Sequence, residues 1–364
     1  MPRRTILTLV AATAAATSLA LPATAGARLP KEFFGLEPKD VVAGKDAYRA
    51  EQLARQSAIG VRVMRVLFSW KAVEQKPDQF RASIYDGLVG VAAQNGIRLL
   101  PILADPPAFR SSRPPGSLDG RMYPPVHFSD LGTFGAAMAE RYGPFGTYWV
   151  EHPEIPKLPI RAWQVWNEPH LPAFWPSGPN PHAYVYMLRV VGAAIKRVDP
   201  GAQIVTAGIS DSFLPGAIRM RPFVSALYAA RGRGAFDVLA IHPYARRVSR
   251  AIGLLRSVRR LMNRHHDSRT PIWVTEIGWA SAGDRTMFTT TEQGQAQRVR
   301  DFIRKAVALR RQLRLKGVIY YQWRDPDPSL GPCWCVHTGL LRDDLTPKPA
   351  YWAFRRAISA AERG

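Results

Sequence analysis

Two cysteines in 364 residues, Cys333 and Cys335, cannot build a disulfide framework. A bond between them would span only Trp334, close almost no loop and add little stability. With His337 the one histidine nearby, they are also too few for a zinc site, and neither a metal nor a cofactor is expected. Lysine is scarce, supplying 10 of the 50 basic residues against 40 arginines, and the 28 acidic residues leave a net charge of +22. No nucleic-acid motif accompanies that charge, so a nucleic-acid partner is not expected. The Gly-rich loop that cradles phosphate in doubly wound sheets is missing. Beyond the first residues, no apolar run approaches the roughly 20 residues of a membrane span.

The amino terminus reads as an address. Arg3 and Arg4 precede an alanine-rich apolar run from Ile6 to Leu21, and Ala25-Gly26-Ala27 offers the small residues of a cleavage site. Residues 1–27 are expected to be a removed signal peptide. The mature chain, 28–364, would be secreted or held at the cell wall, with no stable membrane span remaining. The arginines recur along helical faces, as in Arg250, Arg256, Arg259, Arg260 and Arg264, or Arg298, Arg304, Arg310, Arg311 and Arg314. Such faces are ordinarily solvated, and in an exported protein they can also attract an acidic cell-wall polymer.

What the chain has in abundance is alternation. Strand-length apolar runs at 33–36, 61–70, 97–103, 160–166, 203–207, 236–241, 272–275 and 317–323 alternate with helical-period segments at 46–58, 83–95, 129–141, 182–198, 216–231, 249–265, 292–315 and 349–361. Eight such pairs predict an α/β fold of the (β/α)₈ TIM-barrel type, and with no linker-like tract to divide it, a single domain. The segments that follow strands are mostly long and rich in Pro, Gly and aromatics, which places a cleft at the strand C-termini. The stretch 143–159, long but preceding a strand, is the exception.

Two of the predicted strands end on carboxylates. Trp166-Asn167-Glu168-Pro169 stops an apolar run on an Asn-Glu pair that Pro169 prevents from continuing. Residues 271–279, Pro-Ile-Trp-Val-Thr-Glu-Ile-Gly-Trp, end the seventh run on Glu276, 108 residues after Glu168. Strands four and seven lie across an eight-stranded ring, so the two carboxylates would face one another. One protonated and one ionised carboxyl is what cleavage of a glycosidic bond needs.

These two motifs resemble the retaining glycoside hydrolases of clan A, in particular the cellulase-like family 5 and the xylosidase-like family 39. Arg65 in Arg65-Val-Leu-Phe-Ser-Trp70, His242-Pro243-Tyr244, Trp323, and the closing Thr346-Pro-Lys-Pro-Ala-Tyr351 extend the likeness over the mature chain. The third strand ends on Ala104-Asp105-Pro106 where many family 5 members carry a histidine, which favours the family 39 side. The resemblance implies Glu168 as acid/base, Glu276 as nucleophile and Asn167 on the substrate 2-hydroxyl. It places Arg65 and Tyr244 beside Glu276, where they favour its ionised form, with His242 also in the binding site and Trp323 a flat floor for a sugar. The implied partner is an oligo- or polysaccharide. Phe109, Tyr123, Phe174 and Trp175 could stack on sugars or pack their own loops. A non-catalytic carbohydrate-binding barrel and a charge-driven wall adhesin are the alternatives.

Overall fold

The computed structural model describes residues 28–327 and 333–363; the expected signal segment lies outside them. Eight parallel strands follow the predicted alternation: β1 Phe34–Leu36, β2 Val63–Ser69, β3 Arg98–Ala104, β4 Ala162–Val165, β5 Gln203–Thr206, β6 Leu239–His242, β7 Ile272–Val274 and β8 Leu315–Tyr320. Neighbours in sequence are neighbours in the sheet, and β1 returns to β8 in a register running from Phe34 opposite Val318 to Leu36 opposite Tyr320. The remaining seam joins β5 to β6. It is made by a bridge between Val205 and Val238, and by Ile209–Ser210, which continues β5 and pairs with Ile241 and His242. The ring thereby closes, leaving no long free edge.

Among the described residues, eight longer helices flank the ring: α1 Asp46–Ala58, α2 Asp86–Gln94, α3 Phe128–Tyr142, α4 Pro181–Val198, α5 Met220–Ala229, α6 Val248–Arg264, α7 Glu292–Leu313 and α8 Pro349–Arg363. Side-chain caps start two of them. Asn180 accepts from the Ala183 amide just before Pro181 opens α4, and Thr291 accepts from the Gly294 amide at the head of α7. On α6, Ile252, Leu255, Val258 and Met262 face the barrel, whereas Arg250, Arg256, Arg260 and Arg264 are exposed. Arg259 departs from the solvated face expected of it. It is buried, and donates from Nε to the Leu313 carbonyl at 3.1 Å and from Nη2 to Thr270 at 2.9 Å, satisfying an end carbonyl of α7. The stretch 143–159 holds a short helix, Thr147–Glu151, fixed by Trp149 Nε1 donating to the Gly143 carbonyl at 3.0 Å. Among the described residues, no helix is long and apolar enough to cross a membrane.

The barrel interior explains where chemistry can sit. Val63, Leu100, Ala162, Val205, Ala240, Trp273 and Ile319 form one dry layer inside the ring. Alternate residues of a strand face the same side. The residues two positions on, Arg65, Ile102, Gln164, His242, Thr275 and Tyr321, therefore stack as the next layer toward the strand C-termini. An apolar floor thus supports a largely polar layer directly beneath the loops.

Candidate active site

A cleft of about 1190 Å³ opens over that polar layer, and its lining includes Glu37, Arg65, Asn167, Glu168, Tyr244 and Glu276. The way β4 ends delivers two of these residues. Trp166 has φ 71° and Glu168 φ 40°, both in the left-handed region. For residues other than glycine this costs on the order of 1–3 kcal/mol apiece and persists only where the surroundings enforce it. Burial enforces it here: Trp166 is enclosed and donates from Nε1 to the Phe174 carbonyl at 2.9 Å. Pro169 then keeps the strand from resuming.

Arg65, fully buried, ties the floor together. Nε donates to Gln164 Oε1 at 2.6 Å, Nη2 to Asn167 Oδ1 at 2.8 Å, and Nη1 to both Glu276 Oε1 and Glu37 Oε2. Burial opposes its charge, but Glu37 and Glu276 more than compensate and raise its pKa. Because Arg65 occupies the Asn167 oxygen, the amide nitrogen of that side chain is left as the donor for a ligand. Tyr244 donates to Glu276 Oε2 at 2.8 Å, and burial together with the Glu276 charge pushes its phenol well above the ordinary value, so it remains a donor.

His242 is also fully buried and touches both carboxylates. Nδ1 lies 3.1 Å from Glu168 Oε1; Nε2 lies 3.0 Å from Thr275 Oγ1 and 3.5 Å from Glu276 Oε1. Burial alone would raise the Glu168 carboxyl. The hydrogen bond and charge of His242, helped by His170, outweigh it and hold Glu168 down at about 2. His170 itself is pushed by burial to about 4, and it accepts from the Ser210 amide at 3.2 Å.

Of the residues singled out in the sequence, Arg65, Asn167, Glu168, His242, Tyr244 and Glu276 are brought together. His242 sits behind the two carboxylates and not on the cleft surface, so it acts on them and not on a ligand. Trp323 is not brought to the cleft. It has 0% exposure, its Nε1 donates to Gln52 Oε1 at 3.0 Å, and its ring packs against Arg55 and Tyr351. Tyr321 and Trp334 are instead among the aromatic residues that line the cleft. Trp334 lies inside the ring closed by the Cys333–Cys335 disulfide and meets Tyr244 edge-on at 5.1 Å between ring centroids. Of the four loop aromatics, only Phe174 lines the cleft; Trp175 and Tyr123 are buried, and Phe109 lies beside Arg110.

Glu37 and Lys39, which follow β1, were not anticipated. Burial raises the Glu37 carboxyl, with Arg65 lowering it and Glu276 raising it further. Lys39 Nζ stands 5.0 Å over the Tyr321 ring, and Tyr321 and Glu37 raise its pKa against the effect of burial. The one group with metal-ligand spacing among the described residues, Asp86, Glu151 and His152, is not part of the cleft lining, and Arg141 already pairs with both of its carboxylates.

Residues 165–328, which include both Glu168 and Glu276, match the family model described as the glycosyl hydrolase catalytic core. Comparison with curated protein sequences gives no match. Among solved structures, the chain is similar to a family 39 glycoside hydrolase from Bacteroides cellulosilyticus, at 20% identity and a TM-score of 0.67 over 92% of this chain. It spans 64% of that enzyme's length. A GH5_18 variant from Streptomyces cattleya, solved in complex with Manb1-4GlcNAc, gives 18% identity and a TM-score of 0.63 over 91% of this chain and 80% of the other. A GH5_18 protein from Bifidobacterium longum subsp. infantis gives 15% and 0.63 over 90% and 79%. Residues 165–328 are thus similar to a glycosyl hydrolase catalytic core, and the chain shares its (β/α)₈ barrel fold with these solved glycoside hydrolases.

Proposed function

We propose that the protein is an exported glycosidase that cleaves O-glycosidic bonds with retention of configuration. The observation that carries this reading is the placement of Glu168 and Glu276 on two sides of a single imidazole, His242, at the ends of strands three places apart in the ring. Glu276, bonded to Arg65 and Tyr244, attacks the anomeric carbon and forms a glycosyl ester. Glu168 gives its proton to the departing oxygen. Water then takes the place of the leaving group, Glu168 removes a proton from it, and Glu276 is released. Asn167 donates to the 2-hydroxyl, a bond that strengthens as positive charge develops on the ring.

Glu168 must be protonated for the first step, although His242 holds it low in the open cleft. A bound glycoside would exclude the remaining water from the carboxyl, and loss of solvent raises a carboxyl pKa. Proton NMR of the first-formed product tests the reading: retained configuration is expected, and inversion overturns it.

The charge has a separate role in this account. A groove of about 1140 Å³ between α7 and α8 is lined by Arg300, Arg304, Arg342 and Arg356 around Trp352. It suits an acidic cell-wall polymer, and would hold the exported enzyme, freed of residues 1–27, at the wall.

A further inference from the structure

The cleft is polar at its floor and apolar at its rim. Glu37, Lys39, Asn167, Tyr244 and Glu276 offer enough donors and acceptors for the hydroxyls of one sugar ring. Above them, on the flank of Glu168, the chain changes character. Leu171 and Phe174 come from the segment after β4, three and six residues beyond Glu168, and Phe213 and Leu214 from the segment after β5; all four line the cleft. Phe213 and Leu214 are 67% and 61% exposed.

Most polar groups on this flank are already engaged. Asp211 is held by Arg219 at 2.8 Å and Arg250 at 3.1 Å, and Ser210 Oγ lies 2.9 Å from His170 Nε2. The Arg219 guanidinium in turn lies 4.0 Å from the Phe213 ring centroid, covering one face. A saccharide unit here would bury hydroxyls with few free partners, which is costly. An apolar group would instead cover side chains that now face water.

The general acid protonates the oxygen of the leaving group, so the leaving group lies on the acid's side of the bond. From this we infer that the substrate is a sugar joined to an apolar aglycone, an alkyl or lipid-like chain, and that Leu171, Phe174, Phe213 and Leu214 form its binding surface. The inference rests on Glu168 being the acid/base of the proposed reaction.

The test uses a panel of aryl glycosides to find the glycone that is cleaved, then alkyl glycosides of that sugar from methyl to octyl, with a disaccharide of it as the comparison. Burying one methylene is worth up to about fourfold in binding. The kcat/KM should therefore climb by roughly two- to fourfold per added carbon until the rim is filled, and the octyl glycoside should exceed the disaccharide. Leu214→Ser and Phe213→Ser should flatten the climb. A flat series, or a disaccharide preferred to the octyl glycoside, overturns the inference while leaving the glycosidase reading intact. Absence of turnover on the whole panel overturns the glycosidase reading itself.

Discussion

His242 Nδ1 stands 3.1 Å from Glu168 Oε1, and that contact is what holds the carboxyl at about 2 against its own burial. Activity on an unactivated glycoside requires protonated Glu168, so the alkaline limb of kcat/KM reports its pKa in the free enzyme. His242→Phe removes the bond and the charge but keeps the burial, and the limb should move to higher pH by about 1–3 units. His242→Gln, which can still donate, should move it less. A limb that stays in place or moves toward acid contradicts the role given to His242.

The Glu168→Gln variant should lose roughly 10²–10⁴-fold in rate on glycosides with poor leaving groups and far less on aryl glycosides whose leaving groups depart unaided. Steady-state rates on a matched pair of substrates provide the check. Equal losses on both would remove Glu168 from the acid role.

Arg65 should matter as much for folding as for rate. Its guanidinium is the shared partner of Glu37 and Glu276, and all three are buried. Arg65→Met leaves two carboxylates without their cation and should destabilise the fold by roughly 3–5 kcal/mol. Adding Glu37→Gln removes one stranded charge and should recover part of the loss. Thermal unfolding of the single and double variants reads both effects; a double variant less stable than Arg65→Met would contradict the shared-partner account.

Charge should govern location and not turnover. Raising salt well above 0.15 M, where the Debye length is about 8 Å, should release the protein from acidic wall polymer while hydrolysis of a small neutral glycoside stays nearly constant. Replacing Arg300, Arg304 and Arg356 by glutamine should weaken retention even at low salt. Retention that persists in molar salt would argue against an electrostatic anchor.

The alternation of runs was enough to predict the barrel, and the two strand-end motifs marked Asn167, Glu168 and Glu276, whereas Arg65, His242 and Tyr244 entered only through the resemblance those motifs carry. Glu37 went unnoticed although Leu36-Glu37-Pro38 has the same form as Asn167-Glu168-Pro169: a strand, a carboxylate, a proline. A three-residue β1 gives too little periodicity to mark its end. Trp323 was misplaced because the apolar run continues through it while the strand stops at Tyr320. The chain then turns, so Tyr321 reaches the cleft and Trp323 is directed into the layer beneath α1. Other requirements are purely three-dimensional. A Cβ on Gly208 would lie 1.7 Å from His242 Nε2, so the imidazole can take its place only beside a glycine. Nothing within the local sequence around residue 208 announces that neighbour.

In the proposed reaction Glu276 becomes covalently bonded to the sugar. A 2-fluoro glycoside of the cleaved sugar, carrying a good leaving group, slows both steps but slows release more, so the intermediate should accumulate. Mass spectrometry of the intact protein should show the added glycosyl mass, and peptide mapping should place it on Glu276. An adduct on another carboxylate, or substrate turnover with no adduct and inverted product, would contradict the assignment.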